Sequence, residues 1–323
     1  MLAINNDYKN DIPAINAIEE QIKNIAKSGF SHVHWCHDWN EEYMYCDIEM
    51  IQIKELLDNY GLKVKSIHAS EGGFKAVRVN GKMVDYTHKY RNTVTRKDYT
   101  SPNEYTRLAG VELIKNRVNL AERLDTKEIV LHMQLPFKEF EESPKAEKIY
   151  WQQVFKSFDE LKDYCAPKGI KIAVENLMMA PVKNEIEQFD KLFARYDFNF
   201  MGFCFDTGHG AIMYTDDPLF LVRKYQSRLI AAHIHQSLPI DPGLLNDDMA
   251  VLKHDVHQVP DFVDEHWEDL AKIIAESPYE LPIILEVVIP ADQKNVDMAF
   301  LNNAREKGQK FTEMVKGYQK SSK

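Results

Sequence analysis

Three runs in the second half of the chain decide the reading of the fold: Lys171-Ile-Ala-Val-Glu-Asn176, Met201-Gly-Phe-Cys-Phe-Asp206 and Leu229-Ile-Ala-Ala-His-Ile-His-Gln236. Each is a short apolar run that ends on polar residues, and a longer stretch with helical spacing separates it from the next. Working outward, the same kind of run recurs at Leu2 to Asn5, His32 to His37, Lys63 to Ala69, Glu128 to Met133 and Pro282 to Val288. Alternation of β-runs with helices is the mark of βαβ units and a parallel sheet. Eight such units predict an α/β fold closed into a (β/α)8 barrel, because an open doubly wound sheet more often stops at about five to seven strands.

The intervening stretches support this. Asp11 can cap the first helix, Pro13 sits where a first-turn proline is tolerated, and Ile15, Ile18, Ile22 and Ile25 recur at helical spacing before Gly29 stops it. Further helices are expected at Asp47 to Tyr60, Pro102 to Leu124, Glu147 to Ala166, Glu185 to Tyr196, Pro218 to Ser227, Asp261 to Glu276 and Met298 to Tyr318. No low-complexity linker divides them, so residues 1–323 read as a single barrel domain.

Two connections are too long for simple turns, Ser70 to Ser101 after the third strand and Ser237 to Pro260 after the seventh. Both leave the C-terminal end of a strand, which in a barrel is the functional face. The first carries Lys75, Arg78, Lys82, Lys89, Arg91, Arg96 and Lys97 against Glu71, Asp85 and Asp98. It reads either as a solvated loop or as a lid that meets a phosphate or carboxylate.

Elsewhere the chain is acidic. Forty lysines and arginines against 50 aspartates and glutamates give a formal net charge of −10, which argues against a general nucleic-acid or membrane surface. No apolar run reaches the roughly 18–20 residues of a membrane span, and the N-terminal residues lack the features of an export signal, so the expected location is cytoplasmic. Cys36, Cys46, Cys165 and Cys204 show no CxxC pairing, which disfavours disulfides and a thiolate zinc site.

Chemistry enters when the strand ends are set side by side: Ser66-Ile-His68, Val130-Leu-His132, Ala173-Val-Glu175-Asn176, Phe205-Asp206-Thr-Gly-His209, His233-Ile-His235 and Ile284-Leu-Glu286. Barrel closure brings these ends together. Carboxylates after Ile-Ala-Val, Phe-Cys-Phe and Ile-Ile-Leu are costly to bury unless paired or coordinated. Glu175, Asp206, His235 and Glu286 are therefore the expected ligands of one divalent metal, manganese first, with magnesium, cobalt or zinc as alternatives. His233, two residues before His235, lies on the same strand face one layer deeper and reads as a packing or supporting residue. A lone strand-end histidine such as His68 or His132 is more often a hydrogen-bonded core residue, and His32, His34, His37 and His88 carry no stronger claim. Trp35, Trp39, Phe74, Phe137 and Tyr214 lie near strand ends, where core packing is the commoner role and stacking on a ring substrate the other. There is no GxSxG, P-loop or GxGxxG pattern.

The ordered motifs Ile172-Ala-Val-Glu175-Asn176, Phe205-Asp206-Thr-Gly-His209, His233-Ile-His235 and Ile284-Leu-Glu286 resemble those of the xylose isomerase-like TIM-barrel superfamily, over most of the chain. The resemblance implies a metal-dependent sugar or sugar-phosphate isomerase or epimerase. Glu175 and Glu286 would act as acid and base through an enediolate, and His209 would bind substrate with His68, His132 and His257 lining the pocket. It also implies a rival, an endonuclease IV-like phosphodiesterase with three zinc ions, in which Asp255 and His257 join His68, His132 and His209 as further ligands; the net charge of −10 stands against it. The sequence departs from both where Gln258-Val-Pro-Asp261 replaces the glycines expected after Asp255-Val-His257. A third implied reading is the large subunit of a C-glycoside deglycosidase-like enzyme, which needs a small partner subunit. A non-enzymatic class also stays open, a degenerate barrel that binds sugars or a partner protein without turnover. The expected partner is thus a small carbohydrate, phosphorylated or not, rather than nucleic acid or membrane, and a homo-oligomer stays open.

Overall fold

The computed structural model describes residues 1–9, 18–39, 42–72, 77–79, 82–84, 96–178, 180–245, 247–290, 293 and 296–321. Among the described residues ten strands form, in chain order β1 (Leu2–Asn5), β2 (His32–Trp35), β3 (Lys63–Ala69), β4 (Val77–Val79), β5 (Lys82–Val84), β6 (Glu128–Leu131), β7 (Lys171–Glu175), β8 (Met201–Asp206), β9 (Leu229–Ile234) and β10 (Ile283–Leu285). Eight of them close a parallel barrel in the order β1-β10-β9-β8-β7-β6-β3-β2, while β4 and β5 pair as a separate antiparallel hairpin. The predicted (β/α)8 fold is thus the observed one.

Period-two alternation divides each strand between two cores. On β8, Phe203 and Phe205 face the helices, where Phe203 packs edge-on against Phe189 at 4.9 Å between ring centroids. Burying such a ring contributes roughly 1.5–3 kcal/mol. The opposite face carries mostly small residues: Val130, Ala173, Cys204 and Ala231 pack together with Ile230 inside the barrel. Their size leaves the interior width to the polar side chains that stand above them.

Local capping starts the helices where the strands have delivered the chain. The Asn103 side chain accepts from the backbone of Tyr105 and Thr106 to open the helix Glu104–Arg123. Ser143 caps Pro144–Cys165, with proline in its tolerated first position. The first helix is seen from Glu19 to Lys27, with Ile18, Ile22 and Ile25 buried, and Gly29 stops it at φ +84°. The expected cap Asp11, with Pro13 and Ile15, lies outside the described residues.

Several strands are shorter than expected. The predicted runs to His37, Met133, Gln236 and Val288 stop pairing at Trp35, Leu131, Ile234 and Leu285. The chain changes partner at the barrel mouth: asparagine side chains replace the ladder beside β2 and β10, His235 N donates to Thr207 Oγ1 past β9, and Met133 O accepts from Gln188 Nε2 past β6. Asn5 Oδ1 accepts from Val287 N at 2.9 Å, Asn6 Oδ1 from Cys36 N at 2.6 Å, and Asn176 Oδ1 from Asp206 N at 2.7 Å. Past Asp206 the chain turns at once into the helix Thr207–Met213, with the Asp206 carboxylate capping His209 N.

Neither long connection is structureless among the described residues. The one after β3 contains the β4–β5 hairpin, and the one after β9 contains the helix Asp248–His254. Of the basic set, Lys75, Lys89 and Arg91 lie outside the described residues, as do Phe74 and His88. The backbone N–H groups of Arg96 and Lys97 both donate to Glu42 Oε1, at 2.6 and 2.9 Å. No helix among the described residues is long and apolar enough to cross a membrane.

Candidate functional site

The inward faces of the strands lead upward to one polar cluster at the C-terminal mouth. Ala173 is followed two residues on by Glu175, Cys204 by Asp206, Ser66 by His68, Val130 by His132, Ala231 by His233 and then His235, and Ile284 by Glu286. Glu175, Asp206, His68, His209, His233 and His235 are buried, and Glu286 and His257 are partly so.

Asp206 and His235 are directly paired, with His235 Nε2 at 2.8 and 2.9 Å from the two carboxylate oxygens. Gly208 makes that approach workable, because a Cβ there would stand 2.1 Å from His235 Cε1. Glu175 and Glu286 converge from different strands on one imidazole: His233 Nδ1 lies 3.3 Å from Glu175 Oε1 and 3.1 Å from Glu286 Oε2. His132 and His68 approach Glu175 Oε2 at 3.3 and 3.6 Å. His209 Nδ1 donates to the Asn176 carbonyl at 2.8 Å and lies 3.5 Å from Glu175 Oε1.

The returning chain after the helix Asp248–His254 adds Asp255 and His257. His257 Nδ1 donates to the Glu286 carbonyl at 3.1 Å, its Nε2 lies 3.2 Å from Asp255 Oδ2, and its ring stacks on His235 at 3.9 Å. Asp255 also faces His209 Nε2 at 3.7 Å. All nine residues expected from the sequence are therefore in one site. Trp39 closes over one side of it, its ring 4.7 Å from that of His68 and 5.2 Å from that of His132.

Burial alone would raise the Glu175 and Glu286 carboxyls, but His233, helped by His132 at Glu175 and by His257 at Glu286, holds both well below the usual range. The histidines split into two groups. Burial, with His132 beside it, pushes His68 down to about 3. His257 goes the other way: burial opposes its charge, yet the Asp255 carboxylate raises it to about 10. Burial and Asp206 compete likewise at His209, and the carboxylates win.

This set fits a divalent cation. Glu175 Oε2, His235 Nδ1 and both His233 nitrogens are buried with no hydrogen bond of normal geometry, and such atoms are expensive to leave without a partner. Two buried carboxylates, Glu175 and Asp206, and the partly buried Glu286 stand among imidazoles, a donor set for a hard to borderline metal. Ligand-type atoms of His68, His132 and Glu175 fall within 4.8 Å of one another, as do those of His209, Asp255 and His257, and of His235, His257 and Glu286.

Sequence reasoning passed over two members. Asp7 follows β1, and burial pushes its carboxyl up to about 6, with the Asn5 amide opposing and Glu286 assisting that shift. The signal was a polar run, Asn5-Asn6-Asp7, immediately after an apolar strand. His34, which points inward from β2, was given no better claim than any other lone histidine.

Comparison with known proteins follows the same lines. The family model described as a xylose isomerase-like TIM barrel matches residues 22–304. The chain is 30% identical over 270 residues to the uncharacterized protein y4fM of Sinorhizobium fredii, covering 83% of this chain and 80% of that one. Its fold is similar to the crystal structure of a D-tagatose 3-epimerase-like protein, at TM-score 0.61 and 16% identity over 98% of both chains. It is also similar to a xylose isomerase-like TIM-barrel protein of Mycobacterium smegmatis in complex with magnesium, at TM-score 0.62 and 14% identity over 98% of this chain and 97% of that one.

Proposed function

The chain belongs to the xylose isomerase-like TIM-barrel family, and from that premise we propose that it is a divalent-metal-dependent isomerase or epimerase of a sugar or sugar phosphate. The observation that carries this reading is the convergence of Glu175 and Glu286 on His233 Nδ1, at 3.3 and 3.1 Å, beside the Asp206–His235 pair. Two carboxylates from different strands, held low by the same imidazole, suit a proton that leaves one side of a carbon and returns on another. Fold likeness to a protein named as 3-epimerase-like is consistent with it.

Glu175, Asp206, His235 and Glu286 would hold the metal. When bound, it supplies a positive charge that polarises the substrate carbonyl and the neighbouring hydroxyl. The chain's own groups do the rest. One of the two glutamates removes the proton from the carbon next to the carbonyl, the electron pair moves into an enediolate of the substrate, and the other glutamate, having taken a proton from a substrate hydroxyl or water, returns it to carbon. The reaction is redox-neutral, and the carboxylates recover their starting states through the substrate hydroxyls or water. His209, fixed by the Asn176 carbonyl and doubly protonated beside Asp206 and Asp255, presents Nε2–H toward the site as a donor. Trp39 walls the His68–His132 side and shields the exchanging proton from bulk water.

In deuterated solvent, the metal-loaded protein should incorporate deuterium at a carbon next to the carbonyl of a ketose or ketose phosphate, read by NMR or mass spectrometry. Absence of exchange across a broad panel of both classes would overturn the proposal. A second reading is favoured by the two peripheral groups, His68–His132–Glu175 and His209–Asp255–His257, which suit extra zinc ions and a phosphodiesterase. Nicking of abasic DNA by the zinc-loaded chain, with no exchange into sugars, would transfer the assignment to it.

A further inference from the structure

Below the mouth, one layer deeper in the barrel, a different set of ligand atoms faces inward. His34 projects from β2, and its Nδ1 lies 2.6 Å from Ser66 Oγ on the neighbouring strand. That contact fixes the ring and leaves Nε2 turned toward Glu286, 3.8 Å from Oε1. His34 Nε2 is buried and has no hydrogen-bond partner. Across from it stands His233, fully buried, with both ring nitrogens equally without a hydrogen bond and its ring 4.7 Å from that of His34.

Glu286 faces both. Its Oε1 is the oxygen near His34 Nε2, and its Oε2 is 3.1 Å from His233 Nδ1. One ligand atom each from His34, His233 and Glu286 falls within 4.8 Å of the other two. Two ligands bound at about 2.0–2.1 Å to one tetrahedral ion stand roughly 3.3 Å apart, and the observed 3.1 and 3.8 Å lie on either side of that spacing. A histidine anchored through one nitrogen by a hydroxyl, with the other nitrogen free and aimed at a carboxylate, has the form that metal-ligating imidazoles take.

We propose that His34, His233 and Glu286 form a second divalent-cation site beneath the first, with Glu286 bridging the two. Two imidazoles and one carboxylate select a borderline ion, zinc or cobalt, over magnesium. The site uses none of His68, His132, His209, Asp255 or His257, and it does not depend on which reaction the mouth of the barrel performs.

The test is position-resolved. Crystals of the full chain loaded with cobalt are measured at the cobalt absorption edge. The expected anomalous map has a peak by Asp206 and His235 and a second, lower peak about 2.0–2.2 Å from His34 Nε2 and from a Glu286 oxygen. In His34→Gln the lower peak disappears, the upper one stays, and bound cobalt falls by one equivalent per chain. Density only at the upper position in the wild-type chain at saturating cobalt, or an unchanged pair of peaks in His34→Gln, overturns the proposal. Should His34→Gln fail to fold, the wild-type map decides alone. Failure of solvent exchange into sugars with the lower peak present rejects the isomerase reading and leaves this site standing, and the converse result does the opposite.

Discussion

The pattern histidine-aliphatic-histidine occurs twice in the chain, as His32-Val-His34 on β2 and His233-Ile-His235 at the end of β9, and the two pairs do different things because they stand at different depths. On β9 the second histidine reaches the mouth and pairs with Asp206, and the first sits one layer down under both glutamates. On β2 the pair is displaced toward the floor of the barrel. His34 occupies the layer of His233, and His32 lies near the strand's N-terminal end, part-exposed, with Nδ1 2.9 Å from Ser31 Oγ. An identical local pattern thus yields mouth and middle on one strand, and middle and floor on another. The lesson is that spacing assigns a face, whereas the stagger of a closed barrel assigns the layer.

If depth governs role, substitutions at the mouth should cost most. Glu175→Gln and Glu286→Gln are each expected to lower kcat by about 10²–10⁴-fold while circular dichroism and thermal unfolding stay near wild type. Wild-type turnover in either variant would break the two-carboxylate assignment. Next in size is Gly208→Ala. Its Cβ would stand 2.1 Å from His235 Cε1 and 2.4 Å from Ser237 Oγ, so the histidine must leave Asp206. Metal affinity should fall about 10–100-fold by calorimetric titration. Unchanged affinity would mean that the Asp206–His235 pair does not hold the metal.

The smallest effect belongs to the floor. His32→Asn should leave turnover unchanged and alter stability within about 0.5 kcal/mol near neutral pH. Burial, with Lys63 and Lys65 nearby, lowers His32 to about 4 from an ordinary 6.5. A histidine with a lowered folded-state value contributes stability that is present above about 6.5 and is lost as pH falls toward 4. Denaturant midpoints of His32→Asn should therefore decline less than wild type between those pH values. A parallel decline would show that His32 titrates as freely in the folded chain as in the unfolded one.

Much of the site was legible because barrel strands deliver their last inward residue to a common mouth. Glu175 after Ile-Ala-Val and Asp206 after Phe-Cys-Phe declare themselves as buried carboxylates, and a buried carboxylate needs a partner wherever it is. His34 was not legible in the same way, since its inward neighbours Ser66, His233 and Glu286 come from three other strands. Asp255 and His257 were readable only through resemblance. Their positions depend on the helix Asp248–His254 and on the Gln236–Gln258 bridge, which fold the loop back against β10.

What the amino-acid sequence determined by itself was the alternation of eight apolar runs with helices, the inward face of each run, and the carboxylates and histidines at their ends. Those follow from periods of two and 3.6, which are properties of a few consecutive residues. What only the tertiary structure decided was the layer each inward side chain occupies and which side chains it meets there. That depends on strand stagger and barrel closure, set by contacts between residues far apart in the chain, as where β1 pairs with β10.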